Sequence, residues 1–184
     1  MSGQQSSSVN MTAQRYLIGA DPALSARVRK ELLDTLSAKA GFDPAQAARE
    51  LDARDVRAEF VDAFGDHGLA PDNLPDLLAG HFLAMWSVVH DSPLPGHEAV
   101  LAIAKQFAGQ IAHSPQVADP VKRQLMGEAL LYEAVLTLEA QRAARAGGSA
   151  QLRQMAASAQ QNFLAQRGIN LRKTRVTASG MQRA

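Results

Sequence analysis

The segment that most constrains the fold is PDNLPDLLAGHFLAMWSVVH, which ends at His90. Asn73 suits the N-cap of a helix, and Pro75 fits the first turn, where the N–H that proline lacks would have no partner. Asp76 lies three residues after Asn73 and can accept a hydrogen bond from the backbone N–H of the cap. The residues that follow are apolar almost all round the helix, and a helix without a polar face is normally buried by its neighbours. The segment therefore predicts a central helix over about residues 73–90 of an all-α domain.

Pairs of aspartate and proline predict the starts of three more helices, because aspartate caps a helix and proline suits its first position. The predicted caps are Asp21, Asp43, Asp119 and, for a final helix that stops at Gly168, Ser149. The predicted helices cover about residues 21–40, 97–113 and 119–146, with one broken helix or two short ones between residues 43 and 66. Together these segments predict a single compact bundle of six or seven helices, orthogonal or irregular, around the central helix.

Composition and the two termini divide the 184-residue chain into three parts. A start rich in Ser and Gln predicts a flexible leader over residues 1–19, followed by the helical domain over 20–168 and a basic C-terminal segment over 169–184. The leader has neither the basic start nor the apolar core of a signal peptide. No apolar run is long enough to predict a transmembrane span. The chain contains no cysteine, which excludes disulfides, a thiolate nucleophile and cysteine-ligated zinc.

The candidate catalytic residues are His81, Glu128 and Tyr132. His81 falls in the middle of the apolar stripe of the central helix, and Glu128 shares the apolar stripe of the longest helix with Tyr132. Buried polar groups need partners, so these side chains are predicted to satisfy one another. One interpretation is a general acid–base pair of His81 and Glu128 in a cleft. The sequence favours the other, a hydrogen-bonded core network, because no nucleophile, oxyanion donor set or glycine-rich loop accompanies the pair.

The five histidines do not form a metal-binding pattern. Ligands on one helix face need a spacing of three or four residues. His81 and His90 are nine residues apart, which places them about half a turn out of phase, and two prolines separate His90 from His97. The sequence therefore predicts no metal site, and it contains no motif that would bind a cofactor.

Trp86 and His90 are candidate binding residues on the central helix. They are four residues apart and so lie on the same side of that helix. Tryptophan is enriched in the residues that dominate protein–protein affinity. On a helix this apolar, however, packing of Trp86 in the core is the favoured interpretation.

The C-terminal segment leaves two interpretations open. It carries four cations and no acid, namely Arg172, Lys173, Arg175 and Arg183. It is either a disordered basic tail or a short extended segment that Leu171 and Val176 fix to the bundle. Its cations make an anionic surface or a nucleic acid a candidate partner. A net charge of +1 nevertheless excludes a globally basic nucleic-acid binder, and the interleaved aromatic residues of a single-strand binder are missing.

Three segments resemble a bacterial family of helical domains of unknown function. They are GLAPDNLPDLLAGHFLAMW, the stretch from Lys122 to Glu128, and the closing pattern between Ile169 and Gly180. Members of that family have an Asn-Leu-Ala-Asp-like motif that opens an apolar helix with a Trp near its end. Here residues 73–76 and Trp86 fit the motif, with proline at position 75 instead of a small residue. Because members often carry a signal sequence and a polar linker, the resemblance implies a periplasmic or secreted protein. It implies no activity and no catalytic residue.

These observations favour a non-enzymatic helical module that binds another protein, in the bacterial envelope or outside the cell. One alternative is an enzyme or small-ligand binder with a pocket near His81, Glu128 and Tyr132. Another alternative is a binder of anionic surfaces or nucleic acid through the cations of the C-terminal segment. The predicted partner is another protein, nucleic acid is not favoured, and a homo-oligomer is compatible with the sequence.

Overall fold

The computed structural model describes residues 14–37 and 43–183. Its α-helices are α1 (Pro22–Ser37), α2 (Pro44–Ala53), α3 (Val56–Phe64), α4 (Leu74–His90), α5 (His97–Ile111), α6 (Pro115–Ala118), α7 (Pro120–Gly147) and α8 (Ser149–Arg167). The 3₁₀ turns Gly65–His67 and Leu171–Lys173 and an antiparallel hairpin of β1 (Thr174–Thr177) and β2 (Gly180–Arg183) complete these elements. The prediction of an all-α bundle is confirmed. The described residues hold eight α-helices where six or seven were predicted, the additional one being the single turn α6.

Local capping chemistry explains most of the helix starts. The side chains of Asp43, Asn73 and Asp119 each accept hydrogen bonds from backbone N–H groups in the first turn of α2, α4 and α7. Asp21 does the same for α1, and Asp55 separates α3 from α2 by capping α3. The segment between residues 43 and 66 is therefore two helices. The predicted end of the first helix near residue 40 lies outside the described residues.

Two predicted contacts at helix starts are wrong. Ser149 is the first residue of α8 and not its cap. The cap position is occupied by Gly148, with a φ of 101°, which has no side chain to accept a hydrogen bond. The carboxylate of Asp76 does not bond to the N–H of Asn73. It accepts a hydrogen bond of 3.0 Å from the N–H of Ala70, because the loop before α4 turns back towards the helix.

The domain begins earlier than the predicted boundary at residue 20. Tyr16 and Ile18 are buried in the core. Their backbones pair with the chain just before α4, through Ile18 N–H to Asp72 O at 2.9 Å and Leu74 N–H to Tyr16 O at 3.0 Å. Residues 14–19 are thus part of the fold and not of a flexible leader, while residues 1–13 lie outside the described residues.

Helix α4 is the centre of the core, as predicted, and packs against α5, α7 and α8. Close approach to its neighbours depends on two helical glycines. A Cβ atom at Gly80 of α4 would lie 2.6 Å from the ring of Phe60 of α3, and one at Gly127 of α7 would lie 3.1 Å from Leu77 of α4 and 2.7 Å from Ile18. None of the described helices combines the length and the apolarity needed to cross a membrane.

The C-terminal segment is extended and attached to the bundle, which is the second of its two interpretations. Leu171 is fully buried, and Val176 packs against the edge of the core. β1 pairs with β2 so that Val176 faces Met181 and Thr177 faces Gly180. The hairpin lies against α5.

Candidate functional site

His81 is buried in the bundle and contacts a residue that the sequence did not single out. Its Nε2 lies 3.2 Å from Oε2 of Glu133 on α7, and its ring lies 5.6 Å from that of Phe163 on α8, centroid to centroid. Burial, together with the charge of Arg167, lowers the pKa of His81 to about 4. The imidazole is therefore neutral at pH 7, with its Nε2 within 3.2 Å of the carboxylate of Glu133. Burial raises the pKa of Glu133, against the opposing effect of Arg167.

Glu128, the predicted partner of His81, lies on another face of α7. Its Oε1 accepts hydrogen bonds from Ser25 Oγ at 2.7 Å and from Gln124 Nε2 at 2.9 Å, and lies 3.5 Å from the guanidinium of Arg57. Glu128 and Glu133 are five residues apart, which corresponds to a rotation of about 140° around the helix axis. A single helix can therefore present one of them to α1 and α3 and the other to α4.

Tyr132, the third catalytic candidate, is also buried, and its hydrogen-bond partner differs from those of His81 and Glu128. Burial raises the pKa of Tyr132, while a hydrogen bond with Arg29 of α1 opposes that shift. Arg29 in turn lies 3.0 Å from Asp52 of α2. Tyr132 thus belongs to the contact of α7 with α1 and α2. The structure does not bring His81, Glu128 and Tyr132 to one pocket. Within residues 14–37 and 43–183, no three His, Asp or Glu residues are grouped so as to hold a metal ion.

Trp86 and His90 contact the C-terminal segment of their own chain. Their rings stack with centroids 4.7 Å apart. Trp86 Nε1–H donates to Thr174 O at 3.0 Å, and His90 Nε2–H donates to Leu171 O at 2.9 Å. The two predicted binding residues therefore fix the turn Leu171–Lys173 and the start of β1 to the end of α4.

Gln106 of α5 fixes the other strand of the hairpin. Its side-chain amide makes a pair of hydrogen bonds with the backbone of Met181, accepting from N–H at 2.8 Å and donating to O at 3.3 Å. The next residue back, Gly180, has a φ of 103°, which favours glycine, and a Cβ atom there would lie 2.5 Å from Gln106 Oε1. The hairpin is thus attached to the bundle at both strands, β1 by Trp86 and β2 by Gln106.

A groove lies beside the attached hairpin, with a volume of about 710 Å³. We call it the hairpin groove. It is lined by Gln106, Gly109, Gln110, Gly168, Ile169, Asn170, Lys173, Thr174, Met181, Gln182 and Arg183. Two smaller depressions, of about 380 and 320 Å³, lie beside the start of α7 and beside Arg54. The volume of the hairpin groove falls in the range of about 300–1,000 Å³ in which proteins hold ligands.

The candidate cations of the C-terminal segment divide between the groove and the open surface. Lys173 and Arg183 line the groove, whereas Arg172, in the turn before the hairpin, and Arg175, on β1, are exposed outside its lining. The sequence did not predict Gln106, Gln110 or Gln182 as site residues. The available signal was the spacing of Gln106 and Gln110, which places two amides on one face of α5, but nothing local links that face to the hairpin.

Comparison with known proteins adds no relative to this description. The chain matches no protein-family model, no curated protein and no solved structure.

Proposed function

We propose that this protein is a non-enzymatic binding module that docks another protein in the hairpin groove. The observation that carries the proposal is the groove itself, a depression of about 710 Å³ between α5, the end of α8 and the hairpin. Its walls are held by the hydrogen bonds of Gln106 and Trp86, so that the groove is formed before a partner arrives. A preformed site avoids the cost of ordering a loop on binding.

The positions of the catalytic candidates support binding over catalysis. Glu128 accepts hydrogen bonds from Ser25 and Gln124, and His81 is buried next to Phe163 with its Nε2 3.2 Å from Glu133. Each of these groups completes a contact between helices. A general acid or base instead needs hydrogen-bond reach to a substrate.

A bacterial envelope or secreted location belongs to the same proposal and rests on the family resemblance alone. Fractionation of the source cells, followed by immunoblotting, tests it separately from the binding site. We expect the protein in the periplasmic or external fraction. Recovery with a cytoplasmic marker would contradict the location and leave the groove untouched.

Photo-cross-linking tests the docking face. Gln182 lines the groove and is exposed, and Val61 is exposed on α3 away from it. Each is replaced in turn by p-benzoylphenylalanine in the source cells, and adducts are identified by mass spectrometry after irradiation. We expect one dominant protein adduct from position 182 and none of that identity from position 61. The same adducts from both positions, or none from position 182, would contradict the proposal.

A further inference from the structure

The hairpin groove already contains one example of how an extended backbone is bound. Gln106 offers its amide to the N–H and the C=O of Met181, and so satisfies both polar groups of one strand residue. Gln110 lies one helical turn further along α5 and lines the same groove. Its side chain is exposed, and it makes no hydrogen bond within the described part of the chain. A second amide of the same kind is therefore available to a second extended segment.

The groove is positively charged, which favours a segment that carries negative charge. Lys173 and Arg183 line the groove, and none of the described residues of its lining is an acid. Elsewhere in the described residues, acids lie within ion-pair distance of six other cations, namely Arg27, Arg29, Lys30, Arg54, Arg57 and Arg145. The last 45 residues contain eight arginines and lysines and no acid. Among the residues that the structure describes, no acid lies within ion-pair distance of Lys173 or Arg183, and this positive charge is open to an outside partner.

We propose that the hairpin groove binds an extended acidic segment of the partner protein. Carboxylates of the segment pair with Lys173 and Arg183, and Gln110 bonds its backbone as Gln106 bonds that of Met181. This inference rests on the proposed function. A polypeptide fits better than a nucleic acid because the lining contains no aromatic side chain on which a base could stack.

The test uses the full chain and defined peptides. The acidic probe is a fluorescently labelled octapeptide of alternating Glu and Ala, blocked at both ends, because alternation places its carboxylates on one side of an extended chain. The neutral probe has Gln in place of every Glu. Affinities are measured by fluorescence anisotropy at about 50 mM and 200 mM salt, since charge pairing weakens as salt rises. We expect the acidic probe to bind, more weakly at the higher salt, and the neutral probe not to bind.

Two double variants with the same change in net charge separate the groove from a diffuse positive surface. Lys173→Ala with Arg183→Ala should raise the Kd of the acidic probe about tenfold or more, because both carboxylate partners are lost. Arg172→Ala with Arg175→Ala, which lie in the same C-terminal segment outside the groove, should raise it less than about threefold. Gln110→Leu should raise it several-fold without changing the charge. Circular dichroism and thermal melting check that each variant is folded.

Four outcomes would overturn the inference. They are failure of the acidic probe to bind, equal binding of the neutral probe, equal losses in the two double variants, and tighter groove-dependent binding of a thymidine octanucleotide. Failure of the inference remains distinguishable from failure of the proposed function. A specific protein adduct at position 182 without binding of the acidic probe would refute only the ligand class. Binding of the probe without any adduct would refute the docking of a protein in cells.

Discussion

Glu128 and Glu133 sit five residues apart on the same helix and have opposite surroundings. The side chain of Glu128 is 6% exposed and receives hydrogen bonds from Ser25 and Gln124 beside the cation of Arg57. The side chain of Glu133 is 47% exposed, and its Oε2 lies 3.2 Å from Nε2 of the neutral ring of His81. The more deeply buried carboxylate is thus the one with more donors, as the cost of burying a charge requires.

The comparison shows that one helix can place two carboxylates beside a core in two different ways. Glu128 replaces the water it loses with protein donors, so its stability contribution should depend on keeping those donors paired. Glu133 keeps part of its hydration, and its carboxylate lies next to His81, which is buried away from water. Removing the first glutamate should therefore cost much more than removing the second.

The largest effect is expected for Glu128→Ala. The substitution leaves the buried amide of Gln124 and the hydroxyl of Ser25 without their acceptor and the guanidinium of Arg57 without a nearby charge. We expect the free energy of unfolding to fall by about 3 kcal/mol, as when one member of a buried charged network is removed. Urea unfolding at pH 7 measures it. Glu128→Gln, which keeps one acceptor, should lose about half as much, and a loss below about 1 kcal/mol for the alanine variant would show that the network contributes little.

The next largest effect is the pH dependence that His81 contributes. Its pKa is lowered to about 4 in the fold from 6.5 in the unfolded chain, so between these values only the unfolded chain takes up the proton. The contribution of His81 to stability is therefore present above pH 6.5 and is lost as the pH falls towards 4. Between pH 7 and pH 5 the loss should be about 2 kcal/mol.

His81→Leu isolates that contribution. Its stability should fall between pH 7 and pH 5 by about 2 kcal/mol less than that of the wild type, as measured by urea unfolding at both values. Burial raises the pKa values of Glu133 and Asp76, which act in the opposite direction. Asp76 is present in both proteins, and because Glu133 contacts His81, the same comparison in a Glu133→Gln background removes its titration. Parallel pH profiles for wild type and variant would show that His81 is not a buried neutral histidine.

The difference between local and distant contacts explains which parts of the molecule could be predicted from the sequence. Helix starts at Asp43, Asn73 and Asp119 were predictable because a cap acts on backbone groups only two or three residues away. Burial of His81 was predictable from the apolar residues around it. Its partner was not, because the choice between Glu128 and Glu133 depends on how α7 is rotated against α4. Rotation is set by packing of the whole bundle, to which Gly80 and Gly127 contribute.

The hairpin groove depends even more on distant contacts. The segment TRVTASGMQR is too short for its own pattern to decide between a tail and a hairpin, and an isolated two-stranded hairpin is at best marginally stable in water. Trp86 and Gln106 hold it from 88 and 75 residues away in sequence. Nothing local in those two side chains indicates what they bind. The groove could therefore not be predicted from the sequence, because it forms only when the bundle is assembled.

The smallest effect is expected for Glu133→Gln. The glutamine oxygen can still accept a hydrogen bond from the ring of His81. Because the side chain at position 133 is about half exposed, the cost of desolvating its amide is small. Because burial raises the pKa of Glu133, its ionised form is disfavoured by folding, and the neutral glutamine avoids that cost. We expect the free energy of unfolding at pH 7 to change by less than about 1 kcal/mol, in either direction. A loss equal to that of Glu128→Ala, in the same urea titration, would mean that Glu133 is held as tightly as Glu128 and that exposure does not separate the two carboxylates.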